Sequence, residues 1–470
     1  MMRNAVAIAV VLMLAADLSS MSVGGWGGVS EACLVDARGP TAAAAAEPTP
    51  QGDPNWASWR GPKGTGEAPG ANPPAKWSET ENIRWKVELP GLGSSTPVVW
   101  KDRVYLTTAV EADEDAKAPS RGAPSRRGGS ERSQQVTKVY DFRVLALDRK
   151  DGSVVWSKSV NKAVPHERGH RSASQASASP VTDGKRIYAH FGSRGLYCLD
   201  MAGKVKWSKQ FGRMRTRNGF GEGSSPALSD DKVIVVWDHE DDSFICALSK
   251  RTGKQVWRTA RNEGTSWSTP VIVKVGRKSQ VVVAATRASR GYDLKTGKEV
   301  WSCTGMTKNV ISTPVEQDGV VWLMSGLRGS MLQAVRLAGA KGDISDSKNL
   351  LWSHNRQTSY VPSALLYDGR LWFLRVGSGV LSCLNAKTGE PFYEGQRLAG
   401  LKSVYASPVA AAGRIYVTSR EGATMVIKAS DTFKALATNK LDDTFDASAV
   451  IVGREIYLRG RRSMYCVAAR

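Results

Sequence analysis

The sequence lacks the short motifs that identify many enzymes. It contains neither a G-x-S-x-G elbow nor a phosphate-binding Gly-Lys-Ser/Thr loop, which argues against an α/β-hydrolase and against a P-loop nucleotide-binding protein. None of its six cysteines belongs to a Cys-x-x-Cys-His motif, so a site for covalent c-type haem is excluded. Strand and helix patterns do not alternate, and a Rossmann unit is therefore not expected.

Histidine is scarce, with only five in the chain, yet two of them form an H-E-x-x-H match that starts at His166. In zinc proteases this motif works because both histidines lie on one face of a helix. Here Pro165 precedes the motif and Gly169 lies inside it, which disfavours a helix. A metalloprotease is not expected, and no metal site is assigned. A loop that binds a metal or a polar ligand through His166, Glu167 and His170 is a weaker alternative.

One apolar run, Ala5–Ala16, follows Arg3 near the N-terminus. The run is too short to span a bilayer and has the form of a signal peptide. We expect residues 1–46 to be a signal peptide with a low-complexity leader, and the protein to be exported to the periplasm or cell envelope. Cys33 raises a lipoprotein alternative, but Ser30-Glu31 before it fits a lipobox poorly. No transmembrane span is expected in the mature chain.

The sequence contains a recurring motif: a small residue, Leu-Asp or a close variant, a Thr-Gly-Lys turn and then an aromatic residue. A period of about 40–50 residues built from short strands is typical of a radial or linear β array. The copies end at Trp156, Trp207, Trp257, Trp301, Trp352 and Tyr393.

A second motif, a Ser/Thr-rich entry into a strand, alternates with the first. Most copies are followed by a turn such as Asp183-Gly184 or Asp318-Gly319 and an alternating apolar run, which predicts a hairpin. Each unit is therefore predicted to be a four-stranded antiparallel propeller blade. The eight entries begin at Ser95, Ser179, Ser225, Thr269, Thr313, Pro362, Ser407 and Ala447.

The chain ends predict closure of a ring. The sequence stops at the third strand of the eighth unit, Tyr465-Cys466-Val467, whereas Ile83–Val87 precedes the first Ser-Thr-Pro entry. The N-terminal strand would complete the last blade and cover its exposed edge. The predicted fold is all-β, an eight-bladed propeller over residues 82–470, with a lead-in segment at 47–81.

The repeats resemble those of the quinoprotein-like propellers, whose consensus is Ala-x-Asp-x-x-Thr-Gly-Lys-x-x-Trp. The run Trp59-Arg60-Gly61-Pro62 is similar to the lead-in of a bacterial branch common in planctomycetes. That branch is related to the scaffold lipoprotein of outer-membrane barrel assembly. The resemblance implies that each repeat aromatic docks on the neighbouring blade, a structural role carried over to Trp85, Trp156, Trp207, Trp257, Trp301 and Trp352, with Tyr393 as a substitute.

The resembled family contains two functional classes. Its dehydrogenases hold pyrroloquinoline quinone with calcium beneath a ring formed by two adjacent cysteines, and no adjacent pair exists here. Cys198, Cys383 and Cys466 instead occupy the small position of the repeat, which predicts buried free thiols. We expect a non-catalytic binding or scaffolding module without a cofactor or catalytic residues. The alternatives are a propeller enzyme acting on carbohydrate at the channel mouth and, less favoured, a quinone-dependent dehydrogenase.

A formal net charge of +21 indicates an anionic partner. Residues 111–138 are predicted to be a disordered basic insert in blade 1. Anionic polysaccharide or an envelope protein is the expected partner, nucleic acid is not expected, and the chain is expected to be a monomer. A simple solvated surface is the alternative. The loops between blades predict a ligand-binding rim on one face, formed by Arg168, Arg171, Arg213, Arg215 and Arg217.

Overall fold

The computed structural model describes residues 53–115 and 138–469, and it is built almost wholly of β-strands. Eight separate sheets make up an eight-bladed propeller, as the repeats predict, and their four main strands are antiparallel. In the described part of the chain the only helical elements are three 3₁₀ turns, at Gly192–Arg194, Arg217–Gly219 and Arg375–Gly377.

The first half of the propeller contains blades 1 to 4, preceded by strand β1 (Ile83–Glu88). Blade 1 contains β2 (Val98–Trp100), β3 (Arg103–Asp115), β4 (Lys138–Asp148) and β5 (Val154–Ala163). Blade 2 contains β6 (Val181–Thr182), β7 (Arg186–His190), β8 (Leu196–Asp200) and β9 (Val205–Lys209). Blade 3 contains β10 (Ala227–Leu228), β11 (Lys232–Trp237), β12 (Phe244–Ser249) and β13 (Gln255–Ala260). Blade 4 contains β14 (Val271–Val275), β15 (Lys278–Val283), β16 (Ser289–Asp293) and β17 (Glu299–Cys303).

The second half repeats the same order. Blade 5 contains β18 (Val315–Gln317), β19 (Val320–Ser325), β20 (Met331–Arg336) and β22 (Leu350–His354), while β21 (Gly342–Asp343) joins blade 4. Blade 6 contains β23 (Leu365–Tyr367), β24 (Arg370–Leu374), β25 (Val380–Asn385) and β26 (Pro391–Arg397). Blade 7 contains β27 (Val409–Ala411), β28 (Arg414–Thr418), β29 (Ala423–Lys428) and β30 (Ala435–Lys440). Blade 8 contains β31 (Val450–Val452), β32 (Glu455–Arg459) and β33 (Ser463–Ala468), and β1 completes it.

The predicted ring closure is confirmed, because β1 pairs antiparallel with β33, the last strand of the chain. Trp85 lies opposite Cys466 and Glu88 lies opposite Ser463. The peptide N–H of Ala468 also donates to Asn82 O at 2.9 Å. The sheet of blade 8 is therefore assembled from both ends of the propeller.

The repeat aromatics dock as the resemblance implies in five blades. Each indole lies over the glycine of the turn between strands 3 and 4 of the next blade, and its N–H donates to a backbone carbonyl there at 3.0–3.1 Å. Each indole thus buries a large apolar area and satisfies its one donor. The donors are Trp85, Trp156, Trp207, Trp257 and Trp352, and the acceptors are the carbonyls of Arg149, Met201, Lys250, Leu294 and Lys387.

Three blades depart from this pattern. In blade 6 the substitute Tyr393 packs against Phe433, in the turn between strands 3 and 4 of the next blade, and its hydroxyl accepts from Trp372 Nε1 of its own blade at 3.1 Å. Trp301 is fully buried in one core cluster with Val321 and Leu323 of the next blade, but its indole N–H donates within its own blade to Gln280 Oε1 at 2.9 Å. Strand β21 pairs alongside Trp301 and covers the outer edge of blade 4.

Blade 7 has Ala437 at the aromatic position. Trp77 of the lead-in packs in the same core cluster as Ala437, and its peptide N–H donates to Asn439 Oδ1 at 2.9 Å.

The cysteines follow the prediction. Cys198, Cys383 and Cys466 lie opposite Trp207, Tyr393 and Trp85 in their sheets, at the small position of the repeat. All cysteines in the described part of the chain are buried free thiols. Burial raises the pKa of Cys198 to about 12, which keeps this thiol protonated and unreactive at neutral pH.

The ends of the segment predicted to be a disordered insert belong to strands. Strand β3 continues to Asp115 and β4 begins at Lys138, with these two residues paired. The hairpin therefore takes up the two ends of the segment predicted as 111–138, and the basic run between them lies outside the described residues. Within residues 53–115 and 138–469, no helix has the length and apolar character needed to cross a membrane.

Candidate functional site

A hydrogen-bonded girdle of Ser and Thr side chains surrounds the central channel. Its members stand at the start of the innermost strands. At seven of the eight junctions the peptide N–H of one blade donates to the hydroxyl oxygen of the next at 2.9–3.2 Å. At the eighth, between blades 4 and 5, the Thr313 hydroxyl accepts from the lead-in instead. The Ser/Thr motif at the strand entries therefore has a structural role, because its hydrogen bonds link neighbouring blades around the channel. The members are Thr96, Ser179, Ser225, Thr269, Thr313, Ser363, Ser407 and Ser448.

The lead-in lies against the innermost strands and reaches into the channel. Trp56 pairs with Val99 of β2, and Ala57 O accepts from Thr182 N of β6. Trp59 Nε1 donates to Thr313 Oγ1 of the girdle at 2.9 Å. Arg60 is buried, and its guanidinium donates to three carbonyls that include Ala364 O and Pro408 O of blades 6 and 7. The segment therefore ties together blades that lie on opposite sides of the channel.

Above Trp59 lies a cavity of about 740 Å³. Its walls come from the connections between blades and from the loop between β19 and β20. We call this side of the propeller the loop face. The volume falls in the range of about 300–1,000 Å³ that is common for small-molecule sites. Aromatic side chains and hydroxyl groups alternate along the wall, which includes Trp59, Phe220, Trp267, Tyr360 and Tyr405 together with five members of the girdle.

The charged groups of the cavity leave a positive excess. Three cations, Arg217, Lys308 and Arg328, line it against two carboxyl groups, Glu222 and Asp446. None of the three cations forms a salt bridge within 4.0 Å among the described residues, although Arg217 interacts electrostatically with Glu240. The lining carboxylate of Asp446 is bound by two arginines, Arg420 and Arg461, the second at 3.1 Å. The negative charge of Asp446 is therefore already compensated by its own partners, so the cavity favours an anionic occupant.

A smaller compartment of about 40 Å³ adjoins the cavity. The two share Glu222, whose carboxyl accepts from the peptide N–H and the hydroxyl of Ser193. His166 Nε2 lies 3.6 Å from Glu222 Oε1. Burial raises the pKa of Glu222 to about 7, against the opposing hydrogen bonds from Ser193. Glu222 is thus an ionisable group that changes charge near neutral pH at the cavity wall.

The three polar residues of the H-E-x-x-H match contact different groups and do not converge on one point. His166 faces Glu222, whereas the Glu167 carboxylate accepts from the N–H and hydroxyl of Thr216. His170 lines the main cavity, edge-on to Phe220 at 5.3 Å. Within the described ranges, no three His, Cys, Asp or Glu side chains are arranged to hold a metal ion.

The five arginines of the predicted rim all lie in connections that reach the loop face, but only Arg217 lines the cavity. Arg215 is paired with Asp241 through its Nε at 3.1 Å. Arg168, Arg171 and Arg213 are exposed. A rim role for these residues remains a prediction. Lys308, Asn309 and Arg328, which no sequence pattern indicates, complete the positive wall.

The repeats place the chain in a known family. Residues 75–218, 140–321 and 241–466 match the family model described as outer membrane protein assembly factor BamB. The chain belongs to this PQQ-repeat family. A search of curated proteins gives no significant match.

Solved structures agree on the fold. BamB from Moraxella catarrhalis is 14% identical with a TM-score of 0.50, covering 77% of this chain and 99% of its own. A europium-containing methanol dehydrogenase is 12% identical with a TM-score of 0.60, covering 86% of this chain and 89% of its own. Quinohemoprotein alcohol dehydrogenase from Comamonas testosteroni is 10% identical with a TM-score of 0.57, covering 89% of this chain and 81% of its own. At these identities the likeness concerns the fold alone.

The residues of this PQQ-repeat chain do not fit the cofactor site that the dehydrogenase class implies. No two cysteines are adjacent in the sequence, and the described ones are buried in the repeat cores rather than at the channel. Aromatic, hydroxyl and basic groups surround the cavity instead, and they suit reversible binding of a polar molecule.

Glu222 predicts a pH-dependent contribution to stability. Because its pKa in the folded protein is raised from 4.5 to about 7, the folded state holds this proton more tightly than the unfolded chain does. The stabilisation is present below pH 4.5 and is lost as the pH rises to about 7. Urea titrations of the parent and of Glu222→Gln give the difference between their free energies of unfolding. This difference, parent minus variant, should decrease as the pH is raised from about 5 to about 8. Glu81→Gln, an exposed carboxylate, is the control, and a pH-independent difference for Glu222→Gln would contradict the assignment.

Proposed function

We propose that this protein is a non-catalytic binding module of the cell envelope and that its ligand occupies the loop-face cavity. The observation that carries the proposal is the cavity itself, which opens over the channel, contains aromatic and hydroxyl groups, and has Trp59 beneath it. The family to which the chain belongs supports a binding or scaffolding role, because its model is described as an assembly factor.

The way in which the cavity walls are held also supports binding. Trp267 Nε1 donates to Gly221 O at 2.7 Å, which fixes one aromatic wall against a neighbouring connection. Lys308 and Leu327 form an isolated β-bridge between two loops of the opposite wall. The girdle fixes the connections at their lower ends. A preorganised site of this kind loses little conformational entropy when a ligand enters.

A thermal-shift screen of purified mature protein tests the proposal with glycans and small anions as probes. A probe that binds the folded state raises Tm according to its concentration and Kd. We expect a stabilising probe to lose its effect in Ala173→Trp/Val361→Trp, which narrows the cavity at two lining positions. The matched control is Ala202→Trp, an exposed alanine in the turn between β8 and β9 on the opposite side.

The possible outcomes differ clearly. Loss of the shift in the narrowed variant, with its retention in Ala202→Trp, supports the cavity as the ligand site. A shift that persists in the narrowed variant places the ligand elsewhere and contradicts the proposal. The proposal is also contradicted if no probe of either class binds.

A propeller enzyme acting on carbohydrate is the second candidate, and Glu222 is the observation that favours it. A carboxyl group with a pKa near 7 is suited to general acid–base catalysis, and this one lies in the cavity wall. If a bound glycan is also cleaved, Glu222→Gln should abolish turnover while binding persists. Unchanged turnover would remove Glu222 from any catalytic role.

A further inference from the structure

The wall formed around blade 5 contains the strongest positive charge of the cavity. Lys308 lies in the connection before blade 5, and Arg328 lies in the loop between its second and third strands. The bridge between Lys308 and Leu327 joins these two segments, so both cations are presented side by side. Arg328 has a φ of 55°, a left-handed conformation that costs free energy for a residue with a side chain.

The same wall contains an unpartnered acceptor. Asn309 is only 6% exposed and lines the cavity, yet its Oδ1 has no hydrogen-bond partner in the described chain. The side chain of Asn309 also interacts with Tyr360, a second residue of the cavity wall. A buried acceptor without a partner is costly, and a ligand with hydroxyl donors would satisfy it.

The remaining groups restrict the ligand further. Five girdle residues line the cavity. Four of their hydroxyl oxygens accept from peptide N–H groups and the fifth, Thr313 Oγ1, accepts from Trp59 Nε1, so the hydroxyl protons remain to be donated to oxygen atoms of a ligand. The rings of Trp267, Tyr360 and Tyr405 offer flat apolar surface for the C–H face of a sugar. The guanidinium of Arg420 lies 4.4 Å from the Tyr405 ring centre, which fixes that ring.

We infer that the ligand is an acidic oligosaccharide, a chain of sugar rings that bears carboxylate or sulfate groups, with its anionic groups at Lys308 and Arg328 and a hydroxyl at Asn309 Oδ1. This inference rests on the proposed function, since it names the class of molecule that the loop-face cavity binds. A simple inorganic anion would use the cations but has no sugar ring for the aromatic wall, and a neutral glycan would use the acceptor but not the cations.

Calorimetric titration of the mature protein in about 0.1 M salt tests the inference. The probes are tetragalacturonate, a sulfated galactose tetramer, neutral cellotetraose and inorganic phosphate. We expect one acidic tetramer to bind roughly tenfold or more tightly than cellotetraose and phosphate, because charge-assisted hydrogen bonds add to the sugar contacts. The preferred acidic tetramer then distinguishes a uronate from a sulfated source.

Three variants locate the contacts. Lys308→Glu/Arg328→Glu should weaken the acidic tetramer about tenfold or more, whereas Lys254→Glu/Lys298→Glu, an equal charge change in turns on the other face, should alter affinity less than about twofold. Asn309→Asp keeps the size of the side chain and its tolerance of positive φ but places a negative charge beside the ligand. It should therefore weaken the acidic tetramer in a protein whose Tm confirms folding.

Each contrary result has a distinct meaning. If cellotetraose or phosphate binds as well as the acidic tetramers, and the narrowed variant blocks it, the ligand class is wrong while the cavity remains the site. If Lys254→Glu/Lys298→Glu weakens binding as much as the cavity pair does, the attraction is diffuse surface charge and the inference is wrong. If the narrowed variant still binds every probe, the proposed function fails as well.

Discussion

Deletion of residues 82–90 is expected to destabilise the propeller more than any single substitution. The deletion removes β1, and with it the pairing to β33 and the docking of Trp85, which is 7% exposed and donates to Arg149 O at 3.0 Å. It also leaves an unpaired strand edge at β33, which favours aggregation. Loss of one core aromatic alone costs about 3–5 kcal/mol. The deletion should therefore lower the free energy of unfolding, measured by urea titration, by more than this amount, or abolish the cooperative unfolding transition.

A rescue variant shows whether the deletion destabilises the protein because β1 no longer pairs with β33 or only because the chain has been shortened. Val467 of β33 lies opposite Ile83 of β1, so a short turn can connect them in the order used by the other blades. Residues 82–90 appended after Ala469 through a turn like Thr296–Lys298 should restore most of the stability. A deletion variant that melts like the parent would show that β1 does not hold the ring closed.

Trp257→Ala is expected to cost about 3–5 kcal/mol, the usual range for removing a large core aromatic. Trp257 is 8% exposed, and its N–H donates to Leu294 O of the next blade at 3.0 Å. The substitution therefore removes apolar area and leaves a carbonyl without its partner in one interface between blades. The free energy of unfolding from urea titration is the measurement, and a cost below about 1 kcal/mol would contradict the docking role.

A pair of glycines gives this prediction a matched control. A Cβ at Gly297 would lie 2.5 Å from Trp257 Cε3, whereas Gly339, with a similar φ, has nothing within 4 Å. Both alanine substitutions carry the left-handed strain of about 1–2 kcal/mol, but Gly297→Ala should cost more. In the Trp257→Ala background most of the difference should disappear, because the two closest contacts are with the indole and only Thr259 Oγ1, at 3.0 Å, remains.

Much of the fold could be predicted because the residues that define a repeat are close together in the chain. A turn glycine, a small residue and a tryptophan lie within about one hairpin of each other, and their order predicts strands 3 and 4 of a blade. The exceptions depend on distant partners. Trp77 packs near Ala437 of blade 7, and β21 covers Trp301 from an insertion in the following blade. No local pattern indicates either contact.

The candidate site was predictable only in part, for the same physical reason. The loops that join blades were identified, and Arg217 and His170 do line the cavity. The charge of Arg215 is offset by Asp241, which lies 26 residues away in a loop of the next blade. Lys308, Asn309 and Arg328 become a single wall only when two loops of the fold meet. Such convergence of polar groups follows from the closed ring and not from spacing along the chain.

The pairing of β1 with β33 has a consequence for how the protein is made. Strand β1 leaves the ribosome before every other strand of the propeller, but it cannot pair until β33 has emerged, because Trp85 lies opposite Cys466 in the sheet. During synthesis the growing chain can complete blades 1 to 7 in turn, yet it keeps two open ends until β33 emerges. Contacts between residues that are so far apart in the sequence form slowly. The ring therefore closes only after β33 has been made. This order suits the proposed export of the chain, since a chain whose ring is still open can be threaded through a translocation pore.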